Sequence, residues 1–328
     1  NKESSGEIEL FLAPLQGYSL TEPDDNTPIT YSAESQSPRL TVSYVDQKGI
    51  EEYMSYSSQS AGVGGNVNIN LATGNMVITI PTLTTTDGLM PYTPTLVYDS
   101  AIANSSYTYG NAEVSSSTSY MANGFKLNIF ESVIEKSYVD SSGSNKTCYV
   151  YADADGTEHY FYSPDGSSVY SDDSGLGKLL INDSETIQIT DDSKVTRIFK
   201  SCSVPSSEVS GAWYLTEIYD VAGNSVNFFG SNDTSAKPSQ VSMTPVGYTE
   251  ISMLEFTYNS AGKLSMVYNS ASKEAVVLRY SSTYNGDISS SAGTYLRRVD
   301  RAWGSSSVTS SNWSSFISSP SNTTNITL

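Results

Sequence analysis

Leu254-Glu255-Phe256-Thr257-Tyr258-Asn259-Ser260-Ala261-Gly262-Lys263-Leu264-Ser265-Met266-Val267-Tyr268 is the stretch on which the reading of the fold turns. Apolar and polar residues alternate on both sides of its centre, and a period of two is the pattern of a half-buried strand. Asn259 can bond to the backbone ahead of it and Gly262 can take a positive φ, so the centre reads as a turn. Strand, turn, strand is a β-hairpin. Because alternate residues share a face, Leu254, Phe256 and Tyr258 are predicted to lie on one side with Leu264, Met266 and Tyr268. Val276, Leu278 and Tyr280 extend that side onto a third strand, and Glu255, Thr257, Ser265, Val277 and Arg279 take the other.

Outward from this hairpin the pattern recurs. Tyr219-Asp220-Val221-Ala222-Gly223-Asn224 matches Tyr258-Asn259-Ser260-Ala261-Gly262-Lys263, and a weaker copy follows at Tyr268-Asn269-Ser270-Ala271-Ser272-Lys273. Upstream, residues 67–71 and 76–80 flank the turn Thr73-Gly74-Asn75 as a hairpin, with the glycines Gly62, Gly64 and Gly65 before it allowing a bend. Further strand-like runs are 95–98, 125–130 and 148–151. The turn Asp153-Ala154-Asp155-Gly156 leads to 159–162, and 185–190 and 194–199 continue the meander. Residues 7–12 and 39–45 are also strand-like, but two strands cannot stand alone in water. Residues 46–60 admit a short helix, with Ile50, Tyr53 and Met54 at helical spacing, or a surface loop. No stretch keeps a 3.6-residue apolar period for three turns. The predicted class is all-β: an antiparallel hairpin meander forming curved sheets, preceded by the terminal strands of another β-sandwich.

Composition agrees with a folded β-rich chain. Charged residues are 16% of the 328, below the roughly 25% of an ordinary soluble domain. Disordered chains lack aromatics, whereas 24 Tyr occur here, whose rings bury area while their hydroxyls find polar partners. The net charge of −18 repels a phosphate backbone and excludes nucleic acid as a partner class. An acidic, Ser/Thr/Asn-rich surface fits solubility outside the cell, which places the chain at an extracellular or cell-surface location. Cys148 and Cys202 are too few for a disulfide scaffold; they are either bridged or two buried thiols, and the lack of framework spacing favours thiols. No apolar run approaches the roughly 20 residues of a membrane span, and nothing resembles a signal-peptide core at Asn1. The start reads as mid-protein and 325–328 as a strand cut short, as in a fragment.

The Tyr-Asp or Tyr-Asn, two residues, Gly pattern, followed by an alternating strand, resembles the YD repeat of bacterial Rhs-type proteins. The chain before it resembles the region that precedes those repeats: Gly65-Asn66-Val67-Asn68, Thr73-Gly74-Asn75-Met76-Val77, Val97-Tyr98-Asp99-Ser100, Asn123-Gly124-Phe125-Lys126-Leu127 and Asp153-Ala154-Asp155-Gly156-Thr157-Glu158-His159-Tyr160-Phe161. Residues 49–59 are similar to the link that joins this region to a DNRLRE-type sandwich module in Gram-positive relatives. The resemblance implies four parts: last strands of a preceding sandwich at 1–46, a linker at 47–60, an Rhs-type β region at 61–212 and YD-like hairpins at 213–328. It departs where the family usually has Trp and this chain has Met54 and Phe125, and where Ser272 replaces the repeat Gly. Members wind hairpins into a hollow shell that can enclose a toxin; neither a toxin segment nor the family's self-cleaving Asp motif is found here.

A search for chemistry returns little. A Ser or Cys nucleophile needs a base, and the only histidine is His159, placed in a strand with no Gly-x-Ser-x-Gly elbow nearby. One His also excludes a multi-His zinc site. Asp153, Asp155 and Glu158 suggest calcium, but with Gly156 at loop position six, position twelve is Tyr162, which cannot ligate as Glu does. Gly62-Val63-Gly64-Gly65 fits no phosphate-cradling pattern. A two-carboxylate glycosidase leaves no local signature to find. Trp303 and Trp313, in a Ser-rich tail, are the candidate ligand-stacking residues, whereas Trp213 opens an alternating strand and reads as core. Gly74, Gly156, Gly223 and Gly262 are the structural turn residues. The expectation is a non-enzymatic scaffold with no catalytic residue, cofactor or metal, whose partners are other domains of the same polypeptide and a cell-surface glycan or protein. The rivals are a glycan-binding or adhesive module and a glycoside hydrolase.

Overall fold

Short alternating runs separated by Asx-type turns leave the backbone one way to satisfy its hydrogen bonds, pairing each strand with the next, and the molecule follows that rule almost throughout. The structure, a computed structural model, describes residues 48–51, 53–62, 64–85, 89–103, 108–109, 112–113, 120–139, 143–163, 167–172, 175–201, 212–228, 238–269, 271–282, 295–303 and 323–327. All fall in one compact unit, Val45–Leu328. Among them there is no helix, and every sheet is antiparallel. The strands expected at 7–12 and 39–45 and the sandwich expected at 1–46 lie outside the described residues.

The first sheet runs β1 (Tyr56–Gly62), β2 (Gly65–Asn70), β3 (Met76–Pro81), β4 (Thr95–Asp99) and β7 (Phe125–Leu127), each paired with the next. A separate two-stranded ribbon, β5 (Thr108–Tyr109) and β6 (Ala112–Glu113), lies between β4 and β7 in sequence. β1 corrects the reading of 46–60 as helix or loop, and it also takes the end of the expected linker. Its sequence, Tyr-Ser-Ser-Gln-Ser-Ala-Gly, carries no apolar alternation because it is an edge strand, mostly exposed, held through pairing with β2. The expected strand at 125–130 stops at Leu127. Asn128 takes an N–H from Thr95 at 2.9 Å and gives its amide to Thr93, which turns the chain out of the sheet.

The second sheet begins with β8 (Ser132–Val139), β9 (Asn145–Ala152), β10 (Glu158–Tyr162), β11 (Val169–Asp172), β12 (Gly177–Ile181), β13 (Thr186–Asp191), β14 (Thr196–Ser201) and β15 (Ala212–Tyr219). Neighbours in sequence are neighbours in space, and the series then closes: Ala212, Trp213 and Tyr214 of β15 pair with Ile134, Val133 and Ser132 of β8. The result is a closed barrel of eight strands. Tracing partners around it keeps one set of residues on one face: Val133 to Tyr151, Tyr149 to Phe161, Tyr170 to Leu179, Leu179 to Ile189, Ile187 to Phe199, Phe199 to Leu215, and Trp213 back to Val133. Val133, Phe161, Leu179, Ile187, Ile189, Phe199 and Leu215 of this set have no exposed surface. Rings on non-neighbouring strands meet across the interior: Tyr149 touches Tyr170 and Trp213, and Tyr151 touches Phe199. A barrel of this size is filled by its own side chains.

β15 then leaves the barrel. Its far end, Glu217 to Tyr219, pairs with β16 (Ser225–Asn227), and the sheet continues open through β17 (Gln240–Thr244), β18 (Ile251–Tyr258), β19 (Leu264–Asn269), β20 (Glu274–Ser281), β21 (Tyr295–Trp303) and β22 (Thr323–Thr327). Here the predicted faces need one correction. A register shift between Thr257 and Tyr258 sets Tyr258 opposite Leu264 but Phe256 opposite Val267. Leu264 therefore stays with Leu254, Phe256, Val276, Leu278 and Tyr280 in the main core, as expected, whereas Met266 and Tyr268 point the other way. They join Ala275, Val277 and Ala302 in a second buried cluster. The cause is a β-bulge, which inserts one unpaired residue and reverses the alternation beyond it.

The turns share one construction. In turns 153–157, 191–195, 220–224 and 259–263, the first residue's N–H donates to the carbonyl of the fifth, and the fourth donates back to the carbonyl of the first. The side-chain oxygen of Asp153, Asp191, Asp220 or Asn259 also accepts an N–H from the fifth residue. The fourth residue must be left-handed, and Gly156, Gly223 and Gly262 supply φ of 101°, 89° and 75°, with Lys194 at 68°. The third copy differs. Asn269 accepts from Ala271 and Ser272, pairs with Glu274, and the left-handed residue is Lys273 at φ 57°. The 70–75 turn has the same plan, with Asn70 accepting from Ala72 and Thr73 and Gly74 at φ 74°. Ser272 thus does not stand in for a glycine; the loop is one residue longer and the strained position has moved to Lys273.

Candidate functional site

Strand ends decide where charge collects in the barrel. β8, β10, β12 and β14 begin at one mouth and β9, β11, β13 and β15 end there. Interior positions at this mouth are polar: Glu131 just before β8, Tyr151 at the end of β9, Asp153 after it, His159 on β10, Asp191 at the end of β13 and Arg197 on β14. Glu131 is buried and accepts a hydrogen bond from the Tyr151 hydroxyl at 2.6 Å. Arg197 bridges two carboxylates, with Nε 3.4 Å from Glu131 and Nη1 3.1 Å from Asp191. Burial pushes the Glu131 carboxyl above its usual range, and Arg197 and the Tyr151 hydroxyl pull it back. Arg197 itself is desolvated, yet Tyr151, Glu131 and Asp191 raise its pKa.

A second group lies alongside, where the first sheet meets the barrel. Lys126 of β7 is buried and donates to the carbonyl of Asp153. Burial lowers its pKa, opposed by the charges of Asp153, Asp155, Glu131 and Asp99. His159 stacks on Tyr151 with ring centres 5.5 Å apart and sets Nε2 3.2 Å from Asp153 Oδ2. Burial lowers the His159 pKa, but the Asp153 partner outweighs that and the net shift is upward. Burial likewise pushes Asp153 up, and the bond to His159 and the charge of Lys126 bring it below the ordinary value. Among the described residues no cation forms an ion pair with Asp155, and Lys126 acts on it only from a distance. Burial, with the charge of Asp153 added, drives it up to about 7.

The chain at 48–51 is fastened to this group. Gly49 N–H donates to Asp99 Oδ2 at 2.8 Å, and Ile50 N–H donates to Thr157 Oγ1 at 3.0 Å and to Asp155 Oδ1 at 3.3 Å. Lys48 pairs with Glu158 at 2.9 Å, and Glu158 also accepts from the Tyr160 hydroxyl. Gly49 has φ 72°, and a Cβ there would collide with Thr157 N and Asp155 Oδ1. Only glycine lets the backbone come this close.

Chemically, this arrangement holds charge in place. Asp153 Oδ1 is occupied by the N–H groups of Asp155, Gly156 and Thr157, and Oδ2 by His159. Among the described residues no group of three or more His, Cys, Asp and Glu is arranged to hold a metal ion. Glu158 pairs with Lys48, and the cation among Asp153, Asp155, Glu131 and Asp99 is the Lys126 ammonium. The 153–157 segment is a hairpin turn with Asp155 bonded within it to Thr157 N–H and O–H. The sequence pattern singled out Asp153 and Asp155, with Glu158, as a candidate calcium loop and His159 by itself, and missed Lys126, Glu131 and Arg197. An isolated Glu, Lys or Arg between strands carries no local signal; the available hint was a Lys in the apolar run Phe125-Lys126-Leu127.

The remaining candidates are dispersed. Trp303 ends β21, 42% exposed, opposite Glu274, which pairs with Arg301. Trp313 lies outside the described residues, as does Cys202. Trp213 is buried inside the barrel, and Cys148 is a buried free thiol. Gly62, Gly64 and Gly65 sit at the tight turn joining β1 to β2. No helix among the described residues is long and apolar enough to cross a membrane. No protein-family model matches the chain, and no curated protein is similar to it.

Proposed function

We propose that this chain is a non-enzymatic scaffold: a segment of a secreted or cell-wall-associated protein of the Rhs/YD-repeat kind, building β-shell that presents or encloses other domains. The observation that supports the reading is the continuous sheet of 15 strands, in which a closed barrel passes through β15 into an open run of sequence-adjacent hairpins. Such a run extends by repetition, since each hairpin leaves a strand on which the next can pair. The turns at 220–224 and 259–263, which share their backbone bonds and a left-handed glycine with the barrel turn 153–157, support reading the hairpin as a repeated element. Side chains pack across the interior of the barrel, and the polar groups at its mouth bond chiefly to one another, which suits a structural part better than a reaction site. Electron microscopy of the full polypeptide tests the proposal. The expected result is a hollow particle with this sheet in its wall; a compact particle without a cavity would overturn it.

One observation favours a second reading, the glycan-binding module. Trp303 presents 42% of its surface at the end of β21, and exposed indole faces stack on sugar rings. Binding to immobilised glycans, with and without Trp303→Ala, separates the two: the scaffold reading expects no binding that depends on Trp303.

A further inference from the structure

The fastening of 48–51 to the barrel mouth combines two kinds of group: backbone donors with nowhere else to go, and carboxylates crowded beyond the supply of cations. We propose that this mouth is an acid-tightened clamp on the segment 48–51, closed when Asp155 and His159 are protonated and loosened when both lose their protons. The clamp's state governs how firmly 48–51 is held against the barrel mouth.

The groups around the clamp come from every element packed there. Asp155 itself faces the Ile50 N–H, Thr157 and Asp153 of its own turn, and Lys126 of β7. Lys126 in turn faces Asp153, Glu131 and Asp99, the last of which accepts from the Gly49 N–H. Glu51 faces His159, Asp153 and Glu158, and Glu158 pairs with Lys48. Asp172 of β11 acts on His159. With all carboxylates ionised and His159 neutral, Glu51, Asp99, Glu131, Asp153, Asp155 and Glu158 face only Lys48, Lys126 and Arg197. Protonating His159 adds a cation against Asp153, and protonating Asp155 removes the anion nearest to Asp153.

The sign follows from which form keeps the proton. In the closed state Asp155 titrates at about 7, against 3.8 for a free carboxyl, because burial and Asp153 disfavour its charge. When 48–51 departs, water reaches the carboxyl and its affinity for the proton falls. The closed form is therefore stabilised fully below the open-state value, and that stabilisation is lost as pH rises through about 7. His159 acts in the same sense, its closed-state pKa lying above the ordinary 6.5. Asp153, held below 3.8, acts the opposite way but only in strong acid.

Hydrogen exchange on the intact chain reads the clamp directly, with protection of the Gly49 and Ile50 amides corrected for the intrinsic pH dependence of exchange. Protection is expected to fall about tenfold between about pH 6 and about pH 8, while Phe161 and Leu179 in the barrel keep theirs. Asp155→Asn, which cannot ionise, is expected to flatten the profile, and His159→Gln to make it shallower. Flat or rising protection in the wild type, an equal fall at Phe161, or an undiminished fall in Asp155→Asn each overturns the proposal. Should Asp155→Asn not fold, the wild-type profile and His159→Gln decide alone.

Discussion

The closed barrel of β8 to β15 and the open sheet of β16 to β22 are built from the same hairpins, yet they solve burial in different ways. In the barrel each strand sends one face inward, and closure removes the edges. The interior set is continuous around the ring, so one alternation serves all its strands, with a single register shift at Ile198/Phe199 to keep it in phase. The open sheet has apolar residues on both faces: Leu254, Phe256, Val267, Val276 and Leu278 in the main core, Met266, Tyr268, Ala275, Val277 and Ala302 in a second. It divides them by bulges at Val241/Ser242, Thr257/Tyr258 and Arg279/Tyr280. A closed sheet thus needs one phase held around a ring, whereas an open one can change phase from strand to strand to serve two cores.

The largest expected difference between the regions is in side-chain truncation. Phe161→Ala, inside the barrel with no exposed surface, is expected to cost about 3–5 kcal/mol, and Met266→Ala, in the five-residue second cluster, about 2 kcal/mol. Denaturant midpoints at unchanged slope measure both; equal costs would mean that the second cluster is as integral as the barrel core. Next comes the charged mouth. Lys126→Met removes the cation among Asp99, Glu131, Asp153 and Asp155 and is expected to destabilise by about 3 kcal/mol, because buried carboxylates are left uncompensated. In the open sheet the buried carboxylate Asp300 is better provided: Arg279 and Arg298 both flank it, so either alone leaves it a partner.

Smaller effects test the turns. Gly262→Val is expected to cost about 1–2 kcal/mol through strain at φ 75°, since a Cβ there meets nothing within 4 Å and sterics with neighbours add nothing. Lys273→Gly is expected to stabilise by about 1 kcal/mol, by relieving a left-handed lysine in the longer third turn. Thermal unfolding would register the two with opposite signs. A destabilising Lys273→Gly would show that the Lys273 side chain contributes more than its backbone costs.

Turns and strands were legible because they are local. The Asp or Asn followed by a glycine three residues on encodes its own hydrogen bonds, and 219–224 and 258–263 could be matched by eye for that reason. Strict alternation placed Val277 on the face opposite Val276 and Leu278, as the structure has it, but gave no sign that this face too would be buried. The edge strand β1 gave no such signal, since a strand that buries little needs no apolar pattern.

What the sequence by itself determined is the all-β class, the antiparallel order and the positions at which the chain reverses, all set by side chains within a few residues of one another. Tertiary structure alone decided three things. Ala212 to Tyr214 close onto Ser132 to Ile134, a pairing across some 80 residues that depends on the accumulated twist and stagger of every strand between them. The bulge at Thr257/Tyr258 sends Met266 and Tyr268 to a second core, because only a finished sheet has two faces to fill. Last, Glu131, Asp153, Asp155, His159 and Arg197 meet at one mouth because barrel strand ends converge there, and Lys126 reaches them from the first sheet, since charges buried together must find each other.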